Sequence, residues 1–338
     1  MTDIQELYKQ LLKPSDALIA DIVKLDGDIL ILGAGGKMGP ALAKLAIQAI
    51  ELAGVQKKVI AASRFSEPGL QVELNNLGIE TYCADLLEED QLQSLPDVKN
   101  VLYLAGTKFG TTGKESFTWA MNSYLPGRVA QKYKNSQIVV FSTGNVYPLT
   151  PAAQGGATEE QLPEPVGEYA QSCLGRERIF QYYSSKYNTP ILIYRLNYAN
   201  DTSYGVLLEI AKSVKEEKPI DVSMGYVNVI WQGDANEIAL RSLHHCAIPA
   251  KILNVTGNET VSVRWLAEQF GELFETKPVF INEEQPTALL SNAAECSRIL
   301  GKPKVSLKQM TELIAAWVKA GGKTINKPTH FQERNGQF

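Results

Sequence analysis

The stretch Asp28-Ile-Leu-Ile-Leu-Gly-Ala-Gly-Gly-Lys-Met-Gly39 predicts a buried strand, a glycine turn and the first turn of a helix. Gly33, Gly36 and Gly39 follow the strand in a GxxGxxG pattern. Such a turn leaves backbone N–H groups at a helix N-terminus, where they bind phosphate groups. A turn that only reverses the chain is the alternative, but the flanking strand and helix favour the phosphate site. We therefore expect a dinucleotide to bind there.

Apolar strands alternate with helical segments through residues 28–197. The pattern predicts strands at 28–32, 58–62, 79–83, 101–105, 137–142 and 190–195, with long helices over 114–133 and 168–187. This alternation predicts an α/β protein with a Rossmann-type, doubly wound parallel sheet covered by helices on both faces.

The pattern changes at both ends of this region. Residues 1–27 predict an N-terminal extension of two short amphipathic helices. Residues 198–322 predict mainly a smaller α/β substrate-binding lobe, some segments of which can return to the first domain. Within the lobe, Asp234 is expected to be the N-cap of a helix over 235–245. Residues 323–338 form a polar tail, which we expect to be mobile or docked on a partner.

Composition narrows the function classes. The chain of 338 residues has a net charge of −4, so nothing indicates nucleic-acid binding. Its three histidines and four cysteines lack the spacing of metal ligands, and reduced thiols are typical of a cytoplasmic protein. No apolar run approaches the roughly 18 residues of a membrane span. We expect a cytoplasmic protein without metal or membrane association.

The end of the second predicted strand indicates the type of dinucleotide. NAD-binding proteins usually place an acidic residue there to accept a hydrogen bond from the ribose 2′-hydroxyl. This chain instead has Ser63 and Arg64, which can bind a 2′-phosphate, and Lys37 in the glycine loop is a further candidate. Arg64 as a solvated surface residue is the alternative. The sequence therefore favours NADP over NAD.

With these motifs in order, the chain resembles the extended short-chain dehydrogenase/reductases, the NAD(P)-dependent epimerase/dehydratase group. The resemblance covers about residues 28–320. It is carried by the glycine loop, Asp85-Leu86, Leu102-Tyr-Leu-Ala105, Asn122, Phe141-Ser-Thr-Gly-Asn-Val-Tyr147, Glu168-Tyr169, Gly233-Asp-Ala235, Leu253-Asn-Val-Thr-Gly257 and Ile299-Leu-Gly-Lys-Pro-Lys-Val305.

The resemblance implies roles for individual residues. Thr143 would bind the substrate oxygen, Tyr169 would move the proton, and Asn122 would order a water relay or the helix beneath the site. Simpler structural roles are the alternatives: a strand-end cap for Thr143, a surface position for Tyr169 and a helix kink for Asn122. Cofactor contacts are expected, from the loop and the resemblance together, at Gly33, Gly36, Lys37, Met38, Gly39, Ser63, Arg64, Asp85, Leu86 and Ala105.

The chain departs from the family at the lysine of the YxxxK motif, where it has Cys173. That lysine would lower the tyrosine pKa, which is ordinarily about 10, and would hold the nicotinamide ribose. Three explanations are open: another cation replaces it, with Arg176 of doubtful reach; the protein binds cofactor without rapid turnover; or the tyrosine acts only as a neutral acid. Cys173 itself fits a buried packing position better than a nucleophile or redox switch.

A second departure lies at Asn197, which comes one position earlier than the family's substrate-binding asparagine. The leading hypothesis is an NAD(P)-dependent oxidoreductase or epimerase acting on the hydroxyl or carbonyl carbon of a sugar, sugar acid or nucleotide sugar. The alternative is an NADP(H)-binding regulatory protein. The family resemblance further implies a homodimer through the helices at 114–133 and 168–187.

Overall fold

The structure is a computed structural model that describes residues 2–108, 113–325 and 327–337. The first part of the chain contains α1 (Thr2–Leu11), α2 (Asp16–Lys24), β1 (Ile29–Leu32), α3 (Gly39–Ala53), β2 (Val59–Ser63), α4 (Leu70–Asn76), β3 (Glu80–Cys83), α5 (Glu89–Ser94), β4 (Asn100–Tyr103), α6 (Glu115–Trp119), α7 (Leu125–Lys132), β5 (Gln137–Thr143), β6 (Thr150–Pro151), α8 (Gly167–Tyr187) and β7 (Ile191–Leu196).

The remainder is built from shorter elements. They are β8 (Ala199–Asn200), α9 (Val206–Lys215), β9 (Ile220–Asp221), β10 (Tyr226–Val227), β11 (Ile230–Trp231), α10 (Gln232–Arg241), β12 (Lys251–Val255), β13 (Val261–Ser262), α11 (Val263–Phe274), β14 (Phe280–Ile281), β15 (Thr287–Ala288), α12 (Ala294–Leu300) and α13 (Leu307–Lys319).

Seven parallel strands form the central sheet, in the order β12-β7-β5-β4-β1-β2-β3. The order reverses between β1 and β4, which is the switch point where ligands bind in doubly wound folds. Residues of β1 are all buried: Ile29 and Ile31 pack in one hydrophobic cluster, and Leu30 and Leu32 pack in another. The predicted α/β fold is confirmed, and β12 brings the later part of the chain back to the sheet.

The N-terminal helices are packed elements. Ser15 caps α2 by accepting a hydrogen bond from the Leu18 N–H, and the buried Leu18 and Ile22 join one of the two hydrophobic clusters that contain β1 residues. The ring of Tyr8 in α1 makes an edge contact with Trp231 and stacks on Trp317. The extension therefore contacts both the core beside the central sheet and residues of β11 and α13.

The helix predicted over 114–133 is interrupted. Between α6 and α7 the chain forms one π-helical turn, Ala120–Tyr124, immediately before Pro126. Proline has no N–H to donate within the helix, which explains a break here. π turns occur often at functional sites, and this one carries the fully buried Asn122.

Two predictions outside the sheet are wrong. Helix α10 begins at Gln232, so Asp234 lies in its first turn and is not its N-cap. The buried Asp234 carboxylate instead accepts the N–H of the distant Val305 at 2.9 Å. The tail is docked on its own chain, because Phe331 is buried in a hydrophobic cluster with residues of α9, α11 and α13, which we call the C-terminal lobe. Within the described residues, no helix combines the length and apolar character needed to cross a membrane.

Candidate active site

The glycine turn is shaped by backbone contacts. Gly33 has a φ of +87°, and a Cβ there would lie 2.6 Å from the backbone nitrogen of Ala105 at the end of β4. A Cβ at Gly39 would overlap the carbonyl of Ala34. Helix α3 starts at Gly39 without a side-chain cap, so its first N–H groups face the turn without a capping oxygen. This is the arrangement that binds phosphate.

A cavity of about 180 Å³ lies between this turn and the ends of β2, β3 and β4. It brings together most of the predicted cofactor contacts. The lining includes Gly33, Gly36, Ser63, Arg64, Asp85, Leu86 and Ala105. The Arg64 guanidinium is exposed and lies 3.9 Å from the Asp85 carboxylate. Arg64 thus has one acidic neighbour, contributed by the segment after β3 and not by β2.

Lys37 lies elsewhere. Its ammonium donates to the Ala199 carbonyl at 3.3 Å and sits 3.5 Å from the centre of the Tyr204 ring. Lys37 and Met38 line a second cavity, and neither lines the first one with Arg64. The structure thus places the Lys37 side chain apart from Arg64, because its ammonium contacts Ala199 and Tyr204.

The second cavity, also about 180 Å³, contains the predicted catalytic pair. Thr143 ends β5, and its hydroxyl donates to the Asn145 side chain at 2.9 Å. A side-chain hydrogen bond joins Tyr169, in the first turn of α8, to Thr143. The cavity also holds Lys108, Asn197 and Tyr204. Both sequence-predicted residues thus share one site.

Tyr169 is held in its neutral form. Burial raises its pKa well above the ordinary value, and proximity to Cys173 raises it further, whereas the Arg176 guanidinium and the Thr143 hydrogen bond act in the opposite direction. Burial also raises the pKa of the Cys173 thiol, which is fully inaccessible. The residue at the family's lysine position is therefore a neutral packing group.

Arg176 reaches beneath the site. Its guanidinium donates to the Phe141 carbonyl at 2.8 Å and to Asn122 Oδ1 at 2.7 Å. A Cβ on Gly106, which lines the first cavity, would overlap the guanidinium. Arg176 thus places a fixed positive charge next to both Cys173 and Tyr169, with electrostatic effects on each.

Asn122 organises this layer. Its Oδ1 also accepts the Thr107 N–H at 2.9 Å, while its amide donates to the Thr107 carbonyl at 2.9 Å and to Ser172 at 3.0 Å. The side chain therefore links the segment after β4 to helix α8. It positions Arg176 and lies beneath the cavity, outside the set of residues that line it.

Lys108 is a site residue that sequence reasoning missed. Its ammonium lies 5.7 Å from the centre of the Tyr169 ring, and burial lowers its pKa to about 8. Burial and the neighbouring Lys108 lower the pKa of Lys37 to about 7, although Lys37 keeps solvent contact in the cleft. The position of Lys108 just after β4 was a usable signal, since ligands bind at the carboxyl ends of parallel strands.

Asn197 lies in the same cavity despite its displaced position, and its amide donates to the Leu289 carbonyl at 3.3 Å. The following residue, Tyr198, has a φ of +43°, which is strained for a bulky residue.

Among the described residues, no group of three or more histidine, cysteine, aspartate or glutamate side chains is arranged to hold a metal ion.

Comparisons with known proteins agree with this architecture. The model of the NAD-dependent epimerase/dehydratase family matches residues 29–225, more than half of the chain. A search of curated protein sequences finds no match.

Solved structures share the fold over nearly their whole length. UDP-glucuronic acid 4-epimerase from Bacillus cereus, in complex with NAD, is 20% identical, with 88% of this chain and 100% of that chain covered and a TM-score of 0.70. UDP-glucose 4-epimerase from Thermotoga maritima is 15% identical over 87% and 99% of the two chains, with a TM-score of 0.68. The Thermus thermophilus UDP-glucose 4-epimerase is 16% identical over 86% and 99%, with a TM-score of 0.69.

Proposed function

The chain belongs to the NAD-dependent epimerase/dehydratase family, and from this premise we propose that it is a nicotinamide-dependent enzyme acting on a hydroxyl or carbonyl carbon of a nucleotide sugar. The observation that carries the proposal is the hydrogen-bonded pair of Thr143 and Tyr169 in a cavity beside the glycine loop. Such a pair can bind one oxygen atom and exchange a proton with it.

The glycine turn and the two cavities beside it would hold the dinucleotide. Gly33 and Gly39 leave no room for a Cβ at the turn, and the uncapped start of α3 offers N–H groups to a diphosphate. Residues around Asp85 and Leu86 would enclose the adenine end, and Met38 and Lys37 would face the nicotinamide end. Bound nicotinamide supplies the hydride chemistry.

The side chains of this chain would handle the proton. Because its pKa is raised, Tyr169 is protonated near neutral pH and can donate to a substrate oxygen. Thr143 would orient that oxygen. Cys173 carries no charge at the position of the family's lysine. Arg176 beneath the Tyr169 ring and Lys108 beside it would supply the positive charge instead. This arrangement corresponds to two of the sequence-based explanations together: relocated cations and a tyrosine acting as a neutral acid.

The test is turnover of a panel of nucleotide sugars with NADP or NAD, with products identified by NMR. Wild type should convert at least one of them, Tyr169→Phe should be inactive, and Tyr182→Phe should be unaffected because Tyr182 is 59% exposed on the same helix. No turnover by wild type, together with activity in Cys173→Lys, would instead support the regulatory alternative, which the buried neutral thiol favours.

We further propose that NADP is preferred over NAD. Ser63 and Arg64 lie in the cavity with the glycine turn, and strand β2 ends without a carboxylate. A 2′-phosphate there would pair with the exposed Arg64 guanidinium. Titration of both cofactors should show tighter binding of NADP, and Arg64→Ala should remove most of the difference. Equal wild-type affinities would refute this preference.

A homodimer also remains a proposal. The π-helical turn before α7 and helix α8 present the exposed rings of Tyr124 and Tyr182, which are 61% and 59% accessible. Aromatic side chains are enriched at protein interfaces. Light scattering should give twice the chain mass for wild type and the chain mass for Tyr182→Glu; a monomeric wild type would contradict the proposal.

A further inference from the structure

The C-terminal tail, residues 327–337, reaches the catalytic cavity. Thr329 is one of the residues that line the cavity of Thr143 and Tyr169. At its other end the tail touches the start of helix α8, where a Cβ on Gly336 would overlap the carbonyl of Val166. The tail therefore contacts the cavity at Thr329 and the start of helix α8 at Gly336.

The tail is anchored firmly to the C-terminal lobe. The backbone and hydroxyl of Thr329 both donate to the Glu209 carboxylate, at 2.8 and 2.6 Å. Phe331 is 5% exposed within the core of that lobe. Arg334 donates to the carbonyl and the hydroxyl of Thr287, at 2.7 and 2.8 Å. These contacts fix the path of the tail on both sides of Phe331.

The tail also holds a strained residue of the cavity. Tyr198, with its positive φ, lines the cavity and donates its hydroxyl to the Phe331 carbonyl at 3.3 Å. Strained backbone persists where surrounding contacts determine it, and it is concentrated at functional sites. Phe331 supplies such a contact from the tail.

The contact with α8 is a backbone approach that requires glycine on both sides. A Cβ on Gly167 would overlap the carbonyl of Gly336, and both residues have positive φ values, +81° and +76°. Gly167 is the first residue of α8, two positions before Tyr169. The end of the tail is thus packed against the turn that carries the proposed proton donor.

We propose that this tail is the closing wall of the substrate cavity: Thr329 and Tyr198 limit the size of the group that enters, and Gly336 braces the first turn of α8 so that Tyr169 faces it. The cavity of about 180 Å³ is smaller than ordinary ligand pockets of roughly 300–1,000 Å³. The residues of its wall therefore limit the size of the group that enters beside the cofactor. Because the Thr329 hydroxyl already donates to Glu209, Thr329 limits the cavity by its size and not by a hydrogen bond to the substrate.

The inference rests on the proposed function for its kinetic part, and its structural part is tested separately. The test variant is Gly336→Ala, and the control is Gly321→Ala. Both glycines have positive φ values, +76° and +67°, but a Cβ on Gly321 meets no atom within 4 Å. The two variants therefore share the backbone strain, and only Gly336→Ala disrupts the contact with α8.

Hydrogen–deuterium exchange of the first turn of α8 should be faster in Gly336→Ala than in wild type or Gly321→Ala. With the nucleotide sugar that wild type converts, Gly336→Ala and Thr329→Ala should raise KM about tenfold, with cofactor affinity unchanged. Thr329→Ala should also accept a bulkier sugar. Equal exchange and equal KM in the two glycine variants would overturn the inference. If wild type converts no nucleotide sugar, the proposed function fails, and the exchange comparison alone decides whether the tail braces α8.

Discussion

Replacing Arg176 with methionine tests the charge layer beneath Tyr169. The substitution keeps a long side chain but removes the guanidinium and its bonds to Asn122 and the Phe141 carbonyl. Bonds to a charged group contribute about 1.5–3 kcal/mol each. Part of this loss is offset, because the substitution also removes a buried Nε that has no partner among the described residues. It removes the free-energy cost of burying the guanidinium as well. We expect the free energy of unfolding to fall by about 2–4 kcal/mol.

The assay is urea denaturation of Arg176→Met beside Arg178→Met. Arg178 lies on the same helix, is exposed, and donates a hydrogen bond to Gln181 at 2.9 Å; its replacement should change stability little. The kcat of Arg176→Met is a second measurement, because the Arg176 charge lowers the pKa of Tyr169. Removing that charge should raise the pKa further and reduce kcat for any step in which the phenol loses its proton.

Two results would contradict this role of Arg176. Equal stability of the two variants would mean that the guanidinium does not hold Asn122 and β5 together. A destabilised Arg176→Met protein with unchanged kcat at saturating substrate would mean that Arg176 is structural only. Arg176→Lys serves as the conservative comparison, because it keeps the charge but lacks the planar fork that bonds two partners.

Three further outcomes are expected. Gly33→Ala should lose cofactor binding and more stability than Gly78→Ala in thermal unfolding, because both have positive φ but only Gly33 meets Ala105; the shared strain is about 1–2 kcal/mol. Burial raises the pKa of Asp234 to about 6, so the folded protein binds this proton more tightly than the unfolded chain, and stability should rise as pH falls from about 6 towards the ordinary value of 3.8. Asp234→Asn should accordingly stabilise the protein at neutral pH by up to about 3 kcal/mol, with no gain below the ordinary pKa; a constant gain at all pH values would contradict this. Asn122→Ala should destabilise the protein and speed exchange at Thr107, because it removes both bonds to the Thr107 backbone; unchanged exchange would show that Asn122 does not hold this segment.

The central sheet and the glycine turn were predictable because short-range patterns determine them. A continuous apolar run such as residues 29–32 is buried on both faces of a parallel sheet. Glycine is required at position 39 by the nearby Ala34, and at position 33 by Ala105 at the end of β4, which neighbours β1 in the sheet. The pairing of Thr143 with Tyr169 followed from the family resemblance, which supplied positions that periodicity alone does not.

Sequence patterns did not describe side chains that distant segments position. Lys37 lies against Ala199 and Tyr204, and Asp234 accepts a hydrogen bond from Val305; no local pattern indicates these contacts. The spacing of Arg176 from Tyr169 suggested little reach, but its guanidinium contacts Asn122 and Phe141 and lowers the pKa of Tyr169. This fits the lean of helical side chains toward the helix N-terminus.

The tail illustrates the same limit. Its polar composition predicted mobility or a partner, but its anchors, Glu209 and Thr287, come from the C-terminal lobe. One apolar residue, Phe331, supplies the burial. Short segments of this kind are fixed by the surface already folded beneath them, which sequence periodicity does not describe.

The most direct test of the proposed chemistry is the loss of the ultraviolet absorbance of reduced nicotinamide after the protein, loaded with reduced cofactor, is mixed with a nucleotide keto-sugar. In this direction nicotinamide gives the hydride to the carbonyl carbon and the neutral Tyr169 gives its proton to the oxygen. We expect wild type to oxidise the cofactor, Tyr169→Phe to leave it reduced, and Tyr182→Phe to behave as wild type. Oxidation by Tyr169→Phe at the wild-type rate would contradict the role of Tyr169, and no oxidation by wild type with any keto-sugar of the panel would contradict the assignment of an enzyme acting on these substrates.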